Sequence, residues 1–135
     1  MLWNHYNEEL MKQITIGLKY EIEEKITKDQ AASAIGSGAL NVFGTPSMIA
    51  LMEKTAMLSV EKFLDSTETT VGTAVNIRHK RATAIGSKVI CESKVVSIDG
   101  SKIDFEVEVR ENGILIGDGY HTRYVVNKDR FMRSL

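Results

Sequence analysis

Three residues of this chain combine reactive side chains with suggestive spacing: Thr45, Glu53 and His79. Thr45 stands immediately before Pro46, the only proline, at the head of the apolar run "TPSMIALMEKTAM" that Glu53 interrupts. If the run is helical, the neighbours of Glu53 are the residues three and four positions away. They are Ile49, Ala50, Ala56 and Met57, all apolar. A carboxylate in such surroundings either gathers hydrogen-bond donors or has its pKa raised, and both outcomes suit a nucleophile or a general base. The competing reading is a carboxylate at the border of the core that reaches water or neutralises a base on a neighbouring strand.

Thr45 also has two readings. It suits a helix N-cap, with Pro46 at the first helical position, where no amide is needed. It also lies a little over two turns before Glu53, so the positive end of the helix dipole would face the pocket that Glu53 enters, a good setting for an oxyanion. His79 shares strand parity with Val71, Val75 and Ile77. That parity puts its ring toward the covered face, where an imidazole either packs as a satisfied core residue or moves protons.

These residues need a helix and a strand to hold them. The apolar spacing predicts a helix from Pro46 to about Asp65, with Ser47, Lys54, Glu61 and Asp65 on its polar stripe. Before it, "ITIGLKYEIEEKIT" alternates Ile16, Leu18, Tyr20 and Ile22 as a first strand, and "KDQAASAIGSGALNVFG" reads as a loop with a short helical turn. After it come "VGTAVNIRHKRAT", then "KVICESKVVSI" and "KIDFEVEVR" joined at Asp99-Gly100. A turn at Asn112-Gly113 leads into "ILIGDGYHTRYVV", whose glycines predict a bend or bulge. Ile103, Phe105, Val107 and Val109 share one face of their strand, and Asp104, Glu106, Glu108 and Arg110 share the other. The expected architecture is α+β: a strand, one long helix, then four strands in meander, with the antiparallel sheet wrapped around the helix.

The chain has 135 residues, 43% of them hydrophobic and 26% charged, with a net charge of −1. That is enough for one core, so a single domain over 1–135 is expected, with 1–12 as an additional N-terminal segment. The balance offers no support for a nucleic-acid partner, and no segment has the length of a membrane span. Cys91 stands alone, which rules out an internal disulfide and fits a reducing, cytoplasmic setting. His5 and His121 lack companions at metal-ligand spacing, and Gly36, Gly38 and Gly44 do not form a nucleotide fingerprint.

The segments "VFGTPSMIALME" and "VGTAVNIRHKRAT" together resemble the fluoroacetyl-CoA thioesterase-like family of hotdog-fold proteins, over about Leu18 to Val126. The resemblance implies a hotdog fold, acyl thioesters of coenzyme A as substrates, homodimers or larger assemblies with sites at the protomer interface, and no metal or organic cofactor. Carried over residue by residue, it makes Thr45, Glu53 and His79 catalytic and Gly72 a lining residue. It also places Arg123 on the arginine of the family's Gly-Thr-His-Glu-Arg ending, from which Tyr120 and Thr122 depart. Coenzyme A brings phosphates, and Arg81, in the cluster "RHKR", is a candidate to meet them, as is Lys88; a solvated charged edge is the competing reading. Two functions follow: a small acyl-CoA thioesterase, or a hotdog protein that binds an acyl-CoA or another small ligand without cleaving it. A hotdog dehydratase is less in keeping with the pattern.

Overall fold

The computed structural model describes residues 7–135. Residues 1–6 of the expected additional segment, His5 among them, lie outside the described residues. The elements in chain order are α1 (Glu8–Met11), β1 (Lys19–Lys25), a 3₁₀ turn (Lys28–Gln30), α2 (Ala32–Ile35) and α3 (Thr45–Glu61), followed by β2 (Glu68–His79), β3 (Lys88–Asp99), β4 (Lys102–Glu111), β5 (Ile114–Asn127) and α4 (Lys128–Arg133). All strand pairings are antiparallel, and α3 packs against the sheet.

The core follows from alternation. Ile103, Phe105, Val107 and Val109 of β4 are fully buried, while the alternating residues Asp104, Glu106, Glu108 and Arg110 form a wetter face. They meet Met48, Leu51, Met52, Ala56 and Val60 of α3. Each such side chain contributes roughly 1.5–3 kcal/mol by leaving water, which is what holds the helix in the curve of the sheet. The β4–β5 turn is the one expected. Asn112 and Gly113 both adopt positive φ, as a two-residue hairpin with right-handed strand twist requires. The β3–β4 loop is Gly100-Ser101, one residue later than expected, because Asp99 still pairs with Lys102.

Four details depart from expectation. The strand order is β1-β3-β4-β5-β2, so only β3, β4 and β5 form a meander. The connection from β2 to β3 is no hairpin: its residues 80–87 cross the end of the sheet, held by Arg81 N–H on the Ile116 carbonyl and Gly86 N–H on the Ile26 carbonyl. The first strand begins only at Lys19, since Gly17 takes a left-handed conformation that breaks the extended run containing Ile16. Helix α3 ends at Glu61 rather than near Asp65. Asp65 Oδ1 instead accepts from the N–H and hydroxyl of Thr67, a turn that reverses the chain into β2.

The fourth concerns β2 itself. Gly72 pairs with Arg123 and Ala74 with Thr122, so Thr73 is an extra residue, a β-bulge. A bulge switches side-chain parity. Thr70 and Gly72 before it, and Ile77 and His79 beyond it, therefore face α3, whereas Val71 does not share a face with His79. A matching bulge in β5 falls at Ile116, where the glycines predicted one.

Candidate active site

The N-terminal end of α3 is capped by the backbone of Gly44, with no side-chain cap, and Thr45 and Pro46 occupy its first two positions. Thr45 is thus one residue further into the helix than an N-cap. Its hydroxyl is free for other work and lies 2.7 Å from Nδ1 of His79 at the end of β2. Two constraints bring the pair together. Gly44 lies so close to α2 that a Cβ there would sit 2.9 Å from Ile35 Cδ1 and 3.1 Å from Ala32 Cα. Phe43, wholly buried, packs edge-on against the His79 ring.

The other ring nitrogen, His79 Nε2, is buried and makes no hydrogen bond among the described residues. Burial lowers the pKa of His79, and the main chain of Arg81 opposes that effect more weakly. The neutral ring is favoured. Around the pair opens a cleft of about 320 Å³ whose walls include Val42, Gly44, Lys80 and Arg81. Lys80 is engaged with Asp118 at 3.3 Å, whereas Arg81 is exposed and makes no side-chain hydrogen bond or ion pair among the described residues. Lys88 lines a different groove, with Glu21, Glu23 and Arg110.

Glu53 belongs to a second cluster. Eight residues along a helix rise about 12 Å and turn about 80°, so Glu53 leaves α3 well away from Thr45. Its Oε2 lies 3.7 Å from Nη1 of Arg123, and its side chain remains 41% exposed. Arg123, 6% exposed, is held on several sides. Its Nε donates to Thr70 Oγ1 at 2.7 Å, Nη2 to the Thr70 carbonyl at 2.9 Å, and Nη1 to His121 Nε2 at 3.1 Å. Gly72 sits over this group. A Cβ there would lie 3.0 Å from Glu53 Oε2, 3.0 Å from His121 Cε1 and 3.2 Å from Arg123 Nη1, so a side chain would push into all three.

Within one chain, then, Thr45, His79 and Arg81 share a cleft, Glu53, Gly72 and Arg123 share a cluster, and no hydrogen bond or ion pair joins the two among the described residues. His121 and Thr70 belong to the second group, although His121 reads from sequence only as an unaccompanied histidine. The signal available was parity, since His121 and Arg123 are two apart on one strand and must share a face. By the same rule Tyr120 and Thr122 project from the opposite face, where Tyr120 is exposed and the Thr122 hydroxyl donates to Asp104. The departures from the family's ending do not touch the cluster.

Among the described residues no group of three His, Cys, Asp or Glu side chains gathers at metal-binding distance. Cys91 is buried against Leu51, and burial pushes its thiol up to about 11, which suits packing rather than nucleophilic work.

Comparison with known proteins bears on the family and the fold. Residues 26–129 match the family model of the fluoroacetyl-CoA-specific thioesterase. The fluoroacetyl-CoA thioesterase of Streptantibioticus cattleyicolor is 30% identical over 90 residues, which are 67% of this chain and 65% of that protein. The match thus spans just under two thirds of that relative's length. A solved structure of a point mutant of the fluoroacetyl-CoA-specific thioesterase FlK with fluoroacetate and CoA superposes with a TM-score of 0.83 at 23% identity, covering 87% of this chain and 99% of that one. A Thermus thermophilus member of the thioesterase superfamily gives 0.84 at 23% identity, with 92% of each chain covered. These likenesses establish the fold, which is the hotdog arrangement of a sheet wrapped around one long helix.

Proposed function

The chain belongs to the fluoroacetyl-CoA-specific thioesterase family, and from that membership we propose that it hydrolyses a small acyl thioester of coenzyme A. The observation that carries this is the Thr45–His79 hydrogen bond in a cleft that Gly44 and Thr45 line at the start of α3, a helix N-terminus without a side-chain cap. A thioester carbonyl seated there develops negative charge on oxygen as the acyl carbon is attacked. The Thr45 hydroxyl and the first-turn amides of α3 stabilise that charge. Glu53 supplies the carboxylate, either taking the proton of a water that adds to the acyl carbon, or adding itself to give an acyl-glutamyl anhydride that a water hydrolyses after the thiolate has left. The C–S bond then breaks. The thiolate of coenzyme A leaves with little need for a proton, because an ordinary thiol has a pKa of about 8.5. His79, neutral and bonded to Thr45, carries the remaining proton, and Arg81 meets a phosphate of the nucleotide.

Glu53 and His79 come to one site when two copies of the chain assemble. The support is β2, an edge strand of 12 residues whose stretch from Gly72 to Asn76 is exposed, Val75 by 45%. An exposed edge of this length invites pairing. If two copies of β2 pair antiparallel about a two-fold axis at Asn76, the extra residue at Thr73 brings Gly72 of one opposite His79 of the other. Glu53 of one copy then faces the Thr45–His79 pair of its mate. The enzyme is accordingly a homodimer or a multiple of one. Its setting is cytoplasmic, in keeping with the single free cysteine; no helix among the described residues is long and apolar enough to cross a membrane.

The test is release of free thiol from a panel of short, branched, aromatic and long acyl-CoA thioesters, by the native protein and by a folded Glu53→Gln variant. Turnover on at least one short thioester, falling by about a thousandfold in the variant, is expected from loss of a carboxylate that acts in the chemical step. Binding of acyl-CoA without any turnover would establish a carrier instead.

A further inference from the structure

Arginine has only donors to offer, so wherever Arg123 Nη1 meets His121 Nε2 the imidazole must accept. The proton of a neutral His121 is therefore on Nδ1, which lies 2.8 Å from the Ala74 carbonyl and donates to it. That carbonyl follows the bulge residue Thr73, so the bulge that resets the parity of β2 also aims the acceptor that fixes this tautomer. From the Ala74 carbonyl the chain of contacts runs through His121 and Arg123 to Glu53 Oε2, with Phe105 stacked beside the His121 ring. We propose that His121 is a positioning residue: through Arg123 it sets the place and direction of the Glu53 carboxylate beneath Gly72.

The chemistry of the surroundings supports this role. The charged groups that face His121 are Arg123 on its own strand and Glu53 on α3; β4 presents Phe105 and β2 the Ala74 carbonyl. Burial, reinforced by the Arg123 charge, lowers the pKa of His121, with the Ala74 hydrogen bond and Glu53 acting in the opposite sense. A second proton on the ring would turn Nε2 into a donor facing a guanidinium, which has no acceptor. Only the neutral, Nδ1-protonated ring keeps the contact with Arg123, and Arg123 held on Thr70 and His121 has one direction left for Glu53.

The inference rests on Glu53 being the reacting carboxylate, and the experiment separates the two. With the thioester that the native protein turns over fastest, kcat and KM are measured for His121→Leu, His121→Gln and Glu53→Gln. The Leu variant is expected to lose about 10- to 100-fold in kcat with KM little changed, since displacement of a reacting group by an ångström has effects of that order. The Gln variant, whose amide oxygen can accept from Arg123, is expected to recover most of that loss. A Leu variant with native kcat, or a Gln variant as slow as Leu, overturns the positioning role. Turnover that survives in Glu53→Gln overturns the reading beneath it. Nitrogen-15 correlation spectra of the native imidazole provide a readout free of mutation: a protonated Nδ1 is expected, and a protonated Nε2 refutes the arrangement.

Discussion

The two regions of the proposed active site are built on different terms. At the start of α3, Thr45 and His79 share one hydrogen bond, His79 Nε2 has no partner among the described residues, and a cleft lies open beside them. Beside Glu53, halfway along the same helix, Arg123 of β5 is buried, and its guanidinium meets Thr70 on β2, His121 on β5 and Glu53 on α3 among the described residues. The first region keeps unused hydrogen-bonding capacity, as a place that must receive a ligand does. The second is nearly closed, and its single opening is the half-exposed carboxylate of Glu53. A charge network that is complete before any ligand arrives orients a reacting group without reorganisation during the reaction.

The sharpest way to break this contrast is to disable one region in each of two proteins. Glu53→Gln and His79→Asn are each expected to be inactive alone, but if the proposed dimer forms, mixing them with exchange of protomers restores about a quarter of native turnover, because half the dimers then carry one intact site of two. A mixture that stays inactive would place all three residues in one chain's site.

Next in size is the cost of opening the closed region. Arg123→Met leaves the Thr70 carbonyl and hydroxyl and His121 Nε2 without their donor, and a loss of about 3 kcal/mol in chemical denaturation is expected. A corresponding Thr45→Val change in the open region removes one half-exposed hydrogen bond and should cost about 1 kcal/mol or less. Equal losses would dissolve the distinction.

Acidification sharpens the comparison from the other side. Burial holds His79 below its ordinary 6.5, so the native chain binds that proton less readily than the unfolded one. Stability from this group is complete above 6.5 and is lost as the pH falls from there through the depressed native value. Activity follows the same sense, with an acid limb in kcat/KM centred below 6.5 and a decline of about tenfold per pH unit beyond it. A limb that begins above that value would take the proton-carrying role from His79. The smallest effect belongs to Arg81, an exposed cation: Arg81→Ala should raise KM for the acyl-CoA by about two- to fivefold, leave kcat alone, and lose its influence at high salt.

Some of this could be read from the chain. Thr45-Pro46 announces the start of α3 to within a residue, because proline's fixed φ and missing amide fit only the first turn. The alternation from Ile103 to Val109 declares which face of β4 is dry, and Asn112-Gly113 declares its turn. Thr45 stands out at the head of an apolar run, Glu53 as a carboxylate within it, and His79 as an imidazole in step with the apolar residues Val75 and Ile77. Less legible was which of them meet: Thr45 with His79 follows from the close approach of the two loops around Phe43, and Glu53 with Arg123 follows from a register shift. His121 was set aside because the sequence places no metal-ligating residue near it, whereas its partners, Arg123 and Ala74, are brought by strand pairing.

The division has a physical basis. Helix phase, strand alternation and tight turns depend on backbone geometry and neighbours within a few residues, so the sequence alone determines that there is one long helix, which faces are apolar, and where the chain reverses. Strand order, the extra residue at Thr73 and the network that seals Arg123 arise between residues as far apart as Lys19 and Lys94, where one inserted residue exchanges the two faces of a strand. Only the tertiary structure, which must bury both faces consistently, decides them.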